Sequence, residues 1–154
     1  MIRLHSKQIQ TCGSPSMMYE THNEQETKKI AAVFAQTLVG GEVVFLSGDL
    51  GSGKTTFVRG VAEVFGFRQP VRSPSFTIVN RYPVDHDAIK QILHIDFYRI
   101  DDPKELAPLA LEEELGRPDT LAFIEWPERF TSFLGTPTQE IAFEVKKFKH
   151  TIQI

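Results

Sequence analysis

The chain has 154 residues, a length that suits one domain with one hydrophobic core. Apolar residues make up 41% and charged residues 24%, as in an ordinary globular protein, and the net charge of −3 excludes a surface that is basic throughout. The lone cysteine, Cys12, excludes an intrachain disulfide. No run approaches the roughly 18 apolar residues of a membrane span, and residues 1–16 hold no apolar signal region. A cytoplasmic protein without membrane contact is expected.

Residues 1–20 show no clear period, and Gly13, Ser14 and Pro15 mark a loop. They are expected as a leader or an edge segment ahead of a domain at 21–154. Asn23 with Glu26 three residues later suits a helix start. Ile30, Val33, Phe34 and Leu38 then share one helical face, and Gly40-Gly41 ends it. Residues 42–47 suit a buried strand, and residues 55–65 a helix closed by Gly66. SFTIVNRY at 75–82 and QILHIDFY at 91–98 are strand-like, joined by a polar hairpin connection. Residues 103–115 suit a helix with Pro103 in its first turn, which Pro108 threatens to kink. TLAFIE at 120–125 is a third buried strand, 127–134 a short helix, and the tail from 141 alternates as one or two strands. The fold class expected is α/β, a mixed and mostly parallel sheet flanked by helices.

Between strand and helix lies GDLGSGKT, residues 48–55, which satisfies G-x-x-x-x-G-K-[ST] at every fixed position. Chemistry explains the pattern. Glycines let the chain turn tightly around an anion with its N–H groups inward. The next helix adds its amides and positive dipole end. Gly48, Asp49, Leu50, Gly51, Ser52, Gly53, Lys54, Thr55 and Thr56 are therefore the expected phosphate-binding set. Lys54 would reach the β- and γ-phosphates of ATP, and the Thr55 hydroxyl would ligate Mg²⁺. A glycine-rich turn without a ligand is the alternative.

A second carboxylate usually completes such a site. Asp96 and Glu125 each follow an apolar strand, where open α/β sheets place their ligands. Spacing treats the two alike, and either could be an acid that has merely reached solvent. Ser73, Ser75 and Thr77 form a hydroxyl-rich loop that could sense the γ-phosphate or simply open a strand. Trp126, the only tryptophan, could cover the nucleotide or lie in the core. His94 suits a buried, hydrogen-bonded histidine. Arg81 and Arg99 default to the surface. No N-K-x-D stretch for reading guanine is present, which favours adenine, and no arginine-rich lid is evident.

GDLGSGKTTFVRG, SPSFTIVNRY, HIDFYR and IEWPE, in that order, resemble the TsaE family of bacterial tRNA threonylcarbamoyladenosine synthesis over about residues 21–145. The resemblance implies a single P-loop α/β domain with ATP and Mg²⁺ at residues 48–56. It implies that Thr55 and Glu125 lie at the metal, that Asp96 is the second acid needed for hydrolysis, and that Ser73–Thr77 act as a switch. It also places Trp126 near the nucleotide and Thr27 by the adenine. The implied partners are the TsaD–TsaB pair, which ATP hydrolysis resets, with tRNA met only through that complex. Ser75 stands where the family more often has Thr, and the C-terminal strands carry Lys and His where an Arg is usual, so no role is transferred there. A small-molecule kinase and a nucleotide-dependent binding module are the competing readings.

Overall fold

The computed structural model describes residues 16–147 and 149–154. Among the described residues seven strands and three α-helices follow in chain order. They are β1 (Met18–Thr21), α1 (Glu24–Ala35), β2 (Val43–Ser47), α2 (Lys54–Val64), β3 (Val79–Pro83), β4 (Gln91–Asp96), β5 (Thr120–Glu125), α3 (Thr131–Leu134), β6 (Gln139–Lys146) and β7 (Lys149–Gln153). The strands form one sheet in the order β1-β7-β6-β2-β5-β4-β3. The central run β6-β2-β5-β4 is parallel throughout. The pairs β1-β7, β7-β6 and β4-β3 are antiparallel. The sheet is thus mixed, with its parallel strands in the middle, as expected.

Both faces of β2, β4 and β5 are covered, so these strands are nearly continuous apolar runs, whereas β6 buries only the face of Ile141 and Phe143. Val44, Leu46, Leu121 and Phe123 face α1 and α2, packed with Phe34, Phe57 and Val61. Phe45, Ala122 and Ile124 face the other way, against Phe97, Leu106, Leu111 and Phe130. Helix α1 starts as its sequence directs. The Asn23 side chain accepts from Glu26 N at 3.0 Å, and Glu26 accepts from His22 N at 2.8 Å.

Several expected boundaries shift. Residues 103–115 form no α-helix but three 3₁₀ turns, Pro103–Glu105, Ala107–Leu109 and Leu111–Glu113. Pro108 has no N–H to continue a ladder, and Ala110 takes a left-handed conformation with φ 47°. The turns still deliver Leu106 and Leu111 fully buried to the second face. The strand expected from Ser75 begins only at Val79, because Ile78 N and Thr77 N both bond back to Pro74 O in a turn. The strand expected to reach Tyr98 ends at Asp96. Residues 127–134 split into a 3₁₀ turn, Pro127–Arg129, and α3. Of the expected leader, residues 18–20 belong to an edge strand, Met17 exchanges backbone bonds with Ile154, and residues 1–15 lie outside the described residues.

Candidate functional site

Strand β2 lies at the middle of the sheet and delivers the loop 48–53 at its C-terminal end. Gly48 has φ 134°, and a Cβ there would stand 2.3 Å from Phe143 O on β6. Only glycine lets the chain leave the sheet so close to its neighbour. Gly53, φ 107°, is the N-cap of α2 and gives that helix no side-chain cap. The first amides of α2 therefore open into the loop with no N-cap side chain bonded to them. Ser52 Oγ is buried there with no hydrogen-bond partner among the described residues.

Lys54 is only 4% exposed and folds into the loop. Its Nζ donates to Gly48 O at 2.7 Å and to Asp49 O at 2.9 Å, and sits 4.7 Å from the Trp126 ring centroid. Burial pushes the Lys54 ammonium below its ordinary pKa, against the opposing pull of carboxylates, with Glu125 and Asp96 foremost. Leu50 is exposed at the tip of the loop. Thr56 continues the first turn of α2 behind Thr55.

The two acids stand side by side, paired in register at the ends of β4 and β5. Each is 4% exposed, so neither has merely run out into solvent. Their neighbours differ. Glu125 Oε1 accepts from Thr55 Oγ1 at 3.0 Å and lies 2.7 Å from His94 Nε2. Asp96 Oδ2 accepts from Ser75 Oγ at 2.6 Å and Ser73 Oγ at 3.2 Å, and its Oδ1 accepts from Tyr98 N at 2.9 Å. The first acid is tied to the loop-helix junction, the second to the serine loop.

Of the remaining expected residues, Thr27 is buried, bonds Thr21 across 3.1 Å, and brings its Cγ2 within 3.9 Å of a Cβ built on Gly53. It therefore flanks the loop. Trp126 is half-buried, in a left-handed conformation, between Lys54 and the Tyr98 ring 5.1 Å away. Thr77 is not brought to either acid; it donates to Asn80 Oδ1 at 2.8 Å and steadies the turn into β3. Arg81 pairs with Glu114, and Arg99 lies over the exposed Phe76 ring.

Two contacts were not foreseen. His94 was expected as a buried, bonded histidine, but nothing in the sequence marked Glu125 as its partner. His150 of β7 places Nδ1 3.0 Å from Ser52 O in the loop. Ninety-eight residues separate these two, and only the pairing of β7 onto β6 brings them together.

Among the described residues no group of three or more His, Cys, Asp and Glu gathers as a metal cage. The Thr55 hydroxyl and the Glu125 carboxylate are nonetheless hard oxygen donors 3.0 Å apart. That sparse set suits Mg²⁺, which is commonly held by one or two protein oxygens together with substrate phosphates. The unpartnered Ser52 hydroxyl and uncapped α2 suit an anion beside it.

Comparison with known proteins agrees in sequence and in shape. The family model for TsaE, threonylcarbamoyl adenosine biosynthesis protein, matches residues 21–153. A Rickettsia felis protein named tRNA threonylcarbamoyladenosine biosynthesis protein TsaE is 38% identical over 125 residues, covering 80% of this chain and 70% of that one. A Bacillus subtilis protein of the same name is 35% identical over 131 residues, covering 85% and 78%. The crystal structure of Bacillus subtilis YdiB superposes with a TM-score of 0.71 at 29% identity, covering 90% of this chain and 83% of that one.

Proposed function

The chain belongs to the TsaE family, and from that premise we propose that it binds ATP with Mg²⁺ at residues 48–56 and hydrolyses it. The hydrolysis is slow alone and is raised by the TsaD–TsaB pair, whose complex it resets during tRNA threonylcarbamoyladenosine synthesis. One observation carries this reading. Thr55, at the first turn of an uncapped helix, is bonded to the buried carboxylate Glu125, with the Lys54 ammonium buried beside them.

Lys54 exchanges its two carbonyl partners for the β- and γ-phosphate oxygens, so nucleotide binding relieves an ammonium held in a costly place. The loop amides and the N-terminus of α2 bear on the same phosphates. Thr55 and Glu125 would hold Mg²⁺, which when bound would neutralise charge on the phosphate oxygens. Asp96 orients the attacking water once the serine loop lets its carboxylate go. Trp126 packs at the edge of the nucleotide, and Thr27 lies on the adenine side of the loop.

A second reading has its own observation. Both Asp96 oxygens are taken up by Ser73, Ser75 and Tyr98 N. If that latch never opens, the protein is a nucleotide-dependent binding module in which ATP occupancy alone drives assembly. A kinase has no comparable support.

Binding of a fluorescent ATP analogue and single-turnover hydrolysis, measured on the same variants, separate these readings. Lys54→Ala loses binding. Asp96→Asn keeps binding within about twofold and loses hydrolysis by about 10²-fold or more, the scale of a positioned general base. Retained ATP binding and full assembly activity in Asp96→Asn despite lost hydrolysis would hand the case to the binding module.

A further inference from the structure

His94 is fully buried on β4, on the face of the sheet that carries Glu125 and packs against α2. Its Nε2 lies 2.7 Å from Glu125 Oε1, the same oxygen that accepts from Thr55. With Glu125 as a carboxylate, which only accepts, the contact is made through an Nε2–H. Among the described residues Nδ1 has no hydrogen-bond partner, and the ring lies 6.2 Å from the Tyr82 ring, centroid to centroid. The histidine thus spends its one polar contact on Glu125. A phenylalanine would fill this core position without leaving a buried nitrogen unpartnered. The polar group needs another reason.

The carboxylate suggests that reason. Two donors converge on Oε1, while among the described residues no hydrogen bond reaches Oε2. Oε1 is thus held from one side by His94, on the neighbouring strand, and from the other by Thr55, which restrains the Glu125 carboxylate.

We propose that His94 is a positioning residue: it fixes the Glu125 carboxylate so that an oxygen is presented, already oriented, to the cation that accompanies the nucleotide. The proposal deepens the Mg²⁺-ATP reading of the site and rests on it. His94 acts through Glu125 and touches neither nucleotide nor cation. Its effect falls on the cation requirement and spares the phosphate loop.

The test uses the full chain, a fluorescent ATP analogue and MgCl₂. Analogue affinity is measured in EDTA and across a Mg²⁺ titration for wild type, His94→Phe, His94→Gln and His94→Asn. In His94→Phe the Mg²⁺ concentration for half-maximal enhancement rises about 10-fold or more, the usual cost of losing an outer partner of a metal ligand. Affinity in EDTA stays within about twofold. Gln places an amide N–H near the position of Nε2 and restores most of the Mg²⁺ response. Asn is one methylene shorter and does not. The Gln and Asn pair holds polarity constant, so their contrast decides the matter even if the Phe variant fails to fold.

Equal Mg²⁺ requirements for Gln and Asn overturn the proposal. So does an affinity loss that is the same in EDTA and in Mg²⁺, which would mark His94 as a structural residue only. A wild type that binds no analogue under any condition refutes the Mg²⁺-ATP reading itself. A wild type that binds, beside variants with an unaltered Mg²⁺ response, refutes only the role of His94.

Discussion

Replacing Gly60 by Ala sets two rules against each other. Gly60 lies inside α2, where alanine is favoured over glycine by about 1 kcal/mol. It is also where α2 crosses α1. A Cβ at Gly60 would stand 2.8 Å from Ala31 Cβ and 2.9 Å from Lys28 Cα. Carbon atoms pack at about 3.5–4.0 Å, so the helices must separate by about 1 Å. Neither atom can turn aside, since one is backbone and the other is fixed to it. Overpacking of this kind costs about 1–3 kcal/mol, and here the interface also includes Phe34 and Phe57, 5.5 Å apart. With two contacts under 3.0 Å against atoms that cannot turn aside, the clash falls in the upper half of that range, about 2–3 kcal/mol, and the propensity gain of about 1 kcal/mol leaves a net loss of about 1–2 kcal/mol. With a urea slope of about 2 kcal/mol/M, the midpoint followed by circular dichroism falls by about 0.5–1 M. Ala31→Gly removes one of the two conflicting atoms, so Gly60→Ala costs less in that background than in wild type. A Gly60→Ala chain as stable as wild type, or more so, would show that α1 yields freely and that the close crossing has been over-weighted.

Other outcomes follow from single contacts. Arg81 grips both oxygens of Glu114, and this pairing with Arg81 holds the Glu114 carboxyl below its ordinary pKa. A lowered folded-state pKa contributes stability above the unfolded carboxylate value and loses it as pH falls through the folded value. Glu114→Gln therefore costs about 1 kcal/mol near pH 7, discounted for the half-exposed Arg81; in urea melts the gap to wild type closes in acid and narrows in high salt. Ala110, at φ 47°, carries the strain of a left-handed residue, so Ala110→Gly raises the urea midpoint by the equivalent of about 0.5–1 kcal/mol. The lone tryptophan faces the Lys54 ammonium. ATP, by drawing Lys54 to phosphate, changes Trp126 emission saturably; Lys54→Ala shifts the emission of the free protein and abolishes the response to ATP.

The centre of the fold was open to sequence reasoning because local rules and tertiary demands agree there. The unbroken apolar runs of β2 and β5 need cover on both faces. The glycines of residues 48–53 need left-handed turns. Asn23 and Glu26 close a helix end by themselves. Agreement fails where chain-local preference is weak. The residues 103–115 carry helix-forming side chains, yet Pro108 and the left-handed Ala110 turn them into 3₁₀ pieces that serve mainly to deliver Leu106 and Leu111. In the site, both strand-end acids were visible as candidates. Their different company was not, because it comes from register. Placing Asp96 beside Glu125 leaves one acid to Thr55 and His94 and the other to the serine loop. His150 against Ser52 depends on β7 pairing with β6, which no local pattern announces.

The central claim is a Mg²⁺-ATPase whose rate is set by its partners. ATP hydrolysis by the purified chain, alone and with the TsaD–TsaB pair, with Lys54→Ala as the control, tests it most directly. The account predicts a low rate alone, a clear rise with the pair, and no activity above background for Lys54→Ala in either condition. A rate indifferent to the pair, or one that survives in Lys54→Ala, would contradict it.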